Sequence, residues 1–221
     1  MRRARFAVGA ALMALTATNA FAAGRHAVIV FGAAGGAEYQ AKYDGWRSAI
    51  VSTLEERFGY AHDRILVLAE NEERSRTSTR ENVRAGLARL RAVVQPEDVV
   101  LVLLIGHGTV FEGDDAKFNL VGPDLSVEEW AALVRPIRAR VVFVNGAASS
   151  YPFLAALAGR NRIVLTATDT ASQQYVTIFP DFFVRAFGDA AADTDKNGRV
   201  SVWESFTFAS AGVKDWFDRQ G

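Results

Sequence analysis

The sequence predicts an α/β fold, a three-layer α/β/α sandwich around a mostly parallel sheet. Two observations predict it. Short continuous apolar runs, the pattern of strands buried on both faces, recur along the chain, and segments of helical spacing separate them. Strands alternating with helices over the whole length imply one sheet covered on both sides.

The first run, His26 to Gly32, ends in a glycine and reads as a strand. A helix follows from Tyr39 to Phe58, because Tyr43, Trp46, Ile50, Val51, Leu54 and Phe58 recur at three- and four-residue steps and Gly59 stands where a helix stops. Ile65 to Leu68 is the second strand, and Glu70 to Ser78 a polar loop. Thr79 then caps a helix whose apolar face is Val83, Leu87, Leu90 and Val94, with Asn82 where a capping box would carry Glu or Gln. Pro96 breaks that helix before Val99 to Ile105, the strongest strand pattern in the chain.

Beyond an irregular region, a hairpin is expected near Phe118 to Val121. Ser126 and Glu129 form a capping box that opens a helix to about Arg135. Val141 to Asn145 is the fourth strand of the main series. A short helix from Tyr151 to Ala158, a fifth strand from Ile163 to Thr166 and an apolar helix from Phe179 to Phe187 complete the order. No internal repeat or low-complexity linker interrupts it.

Composition limits the function classes. Residues 1–22 read as a secretory signal, with Arg2, Arg3 and Arg5 before an apolar stretch from Phe6 to Leu15 and a small-x-small cleavage site at Ala20-Phe21-Ala22. The product is expected to be exported, periplasmic or secreted, with no membrane span, because no later run approaches the roughly 18 apolar residues a span needs. Loss of residues 1–22 removes three of the 25 basic residues and none of the 25 acidic ones, leaving a net charge of −3. That balance argues against nucleic acid as a partner. The chain contains no cysteine, so an exported fold here has no disulfide and depends on its core and on any metal it binds.

Two segments leave strands at the carboxyl edge of the sheet, where α/β folds bind ligands. Gly106-His107-Gly108 puts an imidazole at a strand tip between two glycines that permit a sharp turn. Asn145-Gly146-Ala147-Ala148-Ser149-Ser150 is a run of small residues after the fourth strand. His26 and His62 read as solvated, and Gly32, Gly35 and Gly36 as a tight turn, since their spacing is not that of a phosphate-binding loop.

The runs Leu103 to Thr109, Phe118 to Leu125 and Val141 to Ser149, with the Gly35 to Tyr39 loop, resemble the legumain-type cysteine peptidases of the caspase-like clan and their bacterial relatives. The resemblance implies a caspase-like sandwich over 23–190. It assigns His107 as the remnant of the general base and Ala147 as the position of the missing nucleophile, expected to face His107. A methyl group cannot attack a carbonyl, so the inherited thiolate route is closed. Ser149 and Ser150 lie two and three residues further on and lack a G-x-S-x-G elbow, which disfavours serine hydrolysis.

Asp193-Thr194-Asp195-Lys196-Asn197-Gly198-Arg199-Val200-Ser201-Val202-Trp203-Glu204 fits the EF-hand-type pattern D-x-[DN]-x-[DN]-G-x5-E. Its chemistry is that of hard oxygen donors for Ca2+: the side chains of Asp193, Asp195 and Asn197, the Arg199 carbonyl, Ser201 directly or through water, and a bidentate Glu204. The competing reading is a polar turn that caps the next helix. This loop and its helix, 191–212, are expected to pack on the same domain. The combined expectation is a catalytically silent peptidase homologue that binds calcium and a peptide or protein partner, against an active secreted hydrolase in which His107 serves a non-cysteine nucleophile.

Overall fold

The computed structural model describes residues 23–110 and 115–220. The expected signal segment, 1–22, lies outside them. Among the described residues, eight strands and six α-helices follow in chain order: β1 Arg25–Phe31, α1 Ala37–Glu56, β2 Ile65–Leu68, α2 Arg80–Val93, β3 Val99–Ile105, β4 Gly108–Val110, β5 Ala116–Phe118, β6 Leu125–Ser126, α3 Val127–Val134, β7 Arg140–Asn145, α4 Tyr151–Leu157, β8 Arg162–Thr166, α5 Phe179–Ala186 and α6 Val202–Gln220.

β2-β1-β3-β7-β8 form one sheet, parallel throughout. β4, β5 and β6 form a small antiparallel sheet, where one hairpin had been expected near Phe118. Because side chains alternate along each strand, the sheet has two apolar faces. Val28, Val30, Val102, Leu104, Val141 and Phe143 pack with Leu87, Trp130 and Phe153 of α2, α3 and α4. Ile29, Phe31, Leu101, Leu103, Val142 and Val144 pack with Ile50, Phe183 and Ala209 of α1, α5 and α6. The result is a three-layer α/β/α sandwich. Phe143 is fully buried and stacks on Phe153 at a centroid distance of 6.0 Å, so Phe143→Ala costs about 3–5 kcal/mol.

Local signals set the element ends. Thr79 accepts the Asn82 amide at the start of α2, while the Asn82 side chain donates instead to the Arg74 and Thr77 carbonyls. Ser126 and Glu129 form the full reciprocal capping box of α3. α1 begins at Ala37, two residues before the expected start, with Gly36 at its N-cap. α6 runs to Gln220, beyond the expected limit of 212.

His26 is not solvated as expected. It is 7 % exposed, and its Nε2 lies 3.5 Å from Asp98. Burial, then the Arg64 charge, pushes its pKa below the ordinary 6.5 against the pull of Asp98. Burial alone would raise the Asp98 carboxyl, but the amides of Gln95 and Gly24, with His26 and Arg64, outweigh it and hold the group below its usual range.

Candidate functional site

β3 and β7 are hydrogen-bonded neighbours, so the segments leaving them emerge side by side at the carboxyl edge. The glycines there serve close approach of backbones. A Cβ on Gly108 would lie 2.1 Å from the Ala148 carbonyl oxygen, and one on Gly32 would lie 2.3 Å from that of Asn119. A Cβ on Gly106 would lie 3.1 Å from the Gly32 backbone, so the Gly106-His107-Gly108 turn is pressed against both the chain leaving β1 and the loop after β7.

His107 Nε2 lies 3.0 Å from the Ala34 carbonyl oxygen. A carbonyl only accepts, so Nε2 carries the proton, and in the neutral ring Nδ1 is the free acceptor. The Ala34 amide, in the preceding peptide, donates to Glu70 Oε2 at 2.8 Å and holds the residue whose carbonyl orients the imidazole. Tyr39 meets the ring edge-on at 4.8 Å, and Tyr43 stands at 6.3 Å. Burial pushes the Tyr43 phenol well above its ordinary value, leaving it neutral.

Ala147 is 0 % exposed and belongs to the apolar layer under α2, α3 and α4. The imidazole instead contacts Ala34, Tyr39 and Tyr43, on the α1 side. The two positions are neighbours along the edge, and a Cβ on Gly108, the residue after His107, would lie 3.4 Å from the Ala147 methyl. The backbone of the small-residue run is firmly held. Ala147 N donates to Asn145 Oδ1 at 3.0 Å, and Gly146 N donates to the Leu104 carbonyl at 2.9 Å.

Ser149 has φ of 49°, a left-handed conformation rare outside glycine, and its buried hydroxyl has no partner among the described residues. Ser150 Oγ accepts the amides of Ala167 and Thr168 and is committed to structure. Thr168 and Gln173 tie this turn to the segment after β8, since Ser149 N donates to the Gln173 carbonyl and Ser150 N to Thr168 Oγ1. Sequence reasoning missed Ala34, Glu70, Thr168 and Gln173. No motif marks them, because they act largely through carbonyls, amides and a turn hydroxyl.

Beyond β8 lies an open groove of about 460 Å3, lined by Tyr151, Leu154, Thr168, Gln173, Phe179 and Phe206 among others. A second cavity of about 280 Å3 shares Thr168, Gln173 and Phe179 with it and adds Tyr175 and Phe217. Of these, Tyr175 is 91 % and Phe217 60 % exposed, apolar surface that a lone soluble domain normally limits.

The acidic loop forms a second centre. Asp193, Asp195 and Glu204 present carboxylate oxygens within 4.8 Å of one another, close enough to hold a metal ion. Asp193 accepts the Asn197 and Gly198 amides, Asp195 accepts the Asn197 amide, and Asn197 Oδ1 accepts the Arg199 amide. Gly198 has φ of 81°, which fits the glycine of the motif. Val200, 7 % exposed, packs on Ala186 and Ala192. Ser201 and Glu204 exchange amide bonds as the capping box of α6, and Glu204 also accepts from Thr194 and Asp195, so the turn-and-cap reading is realised within the same loop. The Ser201 amide and hydroxyl, then Thr194, pull the Glu204 carboxyl down to about 2.

No protein-family model matches the chain, and no curated protein matches it. Among solved structures, the crystal structure of protein GSU0716 from Geobacter sulfurreducens is similar, at 14 % identity over 75 % of this chain and 82 % of that one, with a TM-score of 0.50. The likeness is one of fold.

Proposed function

We propose that this protein is an exported, catalytically silent homologue of the legumain-like, caspase-clan peptidases that binds one calcium ion and holds a peptide or protein partner. One observation carries the reading: the nucleophile position is a buried methyl group, while the imidazole beside it keeps a carbonyl that orients it. Orientation without a nucleophile leaves a site able to bind and unable to acylate. The apolar groove with exposed Tyr175 and Phe217 supports partner binding, being continuous with the turn after β7. No helix among the described residues is long and apolar enough to cross a membrane.

Calcium is the cation the acidic loop suits best. Three carboxylates, Asn197, Ser201 and the Arg199 carbonyl are all hard oxygen donors, with no nitrogen or sulfur ligand to favour a softer metal. A bound ion would tie the start of α6 to the end of α5. Incubation with Asn-, Asp- and Arg-containing peptide libraries is expected to give no cleavage. Turnover that His107→Ala abolishes would overturn the silent reading.

Ser149 favours a second reading, an active hydrolase in which His107 serves a serine. Its left-handed backbone and unpartnered hydroxyl are the kind of strain that active sites store. At 1 % exposure the hydroxyl needs an opening motion to reach a substrate. A serine-directed phosphonate distinguishes the two: labelling lost in Ser149→Ala would select this reading.

A further inference from the structure

The strands of the main sheet are all parallel, so they begin at one edge, opposite the edge that carries His107 and Ala147. The part of that edge around β3, β7 and β8 consists of the end of α2, the connections into β3, β7 and β8, and the first residues of β7 and β8. These segments bring together seven arginines from 89 to 162 and two acids, Glu97 and Asp98. Asp98 is 7 % exposed and occupied by the amides of Gly24 and Gln95 and by His26.

Two of the seven arginines serve the fold. Arg135 donates to the Ala156 carbonyl, and Arg162 to those of Ala139 and Ile137. The other five, Arg89, Arg91, Arg138, Arg140 and Arg160, are exposed, and their guanidinium groups make no hydrogen bond or ion pair among the described residues. A chain expected to carry −3 overall thus presents at this end five free positive charges against two exposed acids, Glu97 and the Asp63 that lines a cavity with Arg89. Between Arg91 and Arg138 the face opens into a cavity of about 500 Å3, walled by Pro96 and Pro136. Val93, at the end of α2, is 59 % exposed and lines a separate cavity with Arg89 and Asp63.

We propose that this face docks on an anionic phospholipid surface, with the cavity between Arg91 and Arg138 seating a lipid phosphate. Charge complementarity selects an anionic partner, because unpaired guanidinium groups spaced along one edge match repeated phosphates. The exposed Val93 at the same end of α2 suits an interface with an acyl boundary better than a fully hydrated polyanion. An exported chain, as residues 1–22 imply, also meets bilayer surfaces. The peptide groove at the carboxyl edge stays free when this edge is engaged.

Cosedimentation tests it, with vesicles of phosphatidylcholine mixed with phosphatidylglycerol against phosphatidylcholine alone. It uses the full chain and the same chain after removal of residues 1–22. Binding is expected only to the anionic vesicles, to fall with added salt, and to weaken at least about tenfold in Arg91→Gln/Arg138→Gln/Arg140→Gln. An Arg74→Gln/Lys214→Gln/Arg219→Gln control, with the same loss of charge elsewhere, is expected to bind as the parent does, and circular dichroism verifies that both variants are folded. Equal binding to neutral vesicles, an equal loss in the control, or binding to heparin without binding to vesicles would each overturn the proposal.

Discussion

Calcium is expected to raise the melting temperature, and Asp195→Asn to remove most of that rise. Extracellular-type calcium sites have dissociation constants of about 10⁻⁴–10⁻³ M, so about 10 mM calcium stands roughly 10–100 times above them. Binding to the folded state alone then adds about 1.4–2.7 kcal/mol. For a domain of this size each kcal/mol moves the midpoint by about 2–4 °C, which gives a rise of about 3–11 °C. Asp195→Asn keeps an oxygen ligand and removes one of three carboxylate charges from the cluster. A tenfold weaker site loses about 1.4 kcal/mol, half or more of the calcium effect. Without calcium the same change relieves repulsion among the carboxylates, so the variant's midpoint is expected to equal or exceed the parent's. These opposite signs separate metal binding from a general loss of stability. Differential scanning calorimetry in EGTA, calcium and magnesium measures all three arms. No shift in the parent, an equal shift in the variant, or a magnesium shift as large as calcium's would refute the reasoning.

Ala147→Cys places a thiol in a packed layer, so iodoacetamide is expected to label it only after denaturation, followed by intact mass. Fast labelling of the native protein would mean that position 147 opens on a cleft. Gly108→Ala drives a methyl to 2.1 Å from the Ala148 carbonyl oxygen and should cost about 1–3 kcal/mol in urea unfolding, with a neutral result placing the two backbones further apart. His26 is held below 6.5 in the folded protein, so the unfolded chain binds more protons as pH falls through 6.5, and stability drops toward the folded-state value. His26→Gln should flatten the midpoint between about pH 7 and pH 5, and an unchanged slope would assign it to other groups. Asp98, also held low, adds a loss of the same sign at pH below its ordinary 3.8.

How much could be read in advance depended on whether the signal was local. β2 and β3 match the expected limits because each is a short apolar run bounded by polar residues or proline. The capping box at Ser126 follows from three-residue spacing, and Ser201 with Glu204, expected as calcium ligands, has the same spacing and forms one too. The small sheet escaped because β4, β5 and β6 have two or three residues each, too few to show a period. His26 looked solvated because nothing near it in sequence announces Asp98, 72 positions on.

The sequence by itself determined the alternation of strands and helices, the missing thiol and the spacing of oxygen donors in the acidic loop, since each is a property of neighbouring residues. Only the tertiary structure decided the layer in which each side chain ends. Ala147 keeps the parity of Val141 and Phe143 and lies with them in the α2, α3 and α4 layer, while His107 keeps that of Leu103 and Ile105 and lies against α1; which helices cover each parity is set only when the layers pack. The same holds for the basic edge. Its arginines are scattered from 89 to 162, and they share a face because parallel strands must all start at one end of their sheet.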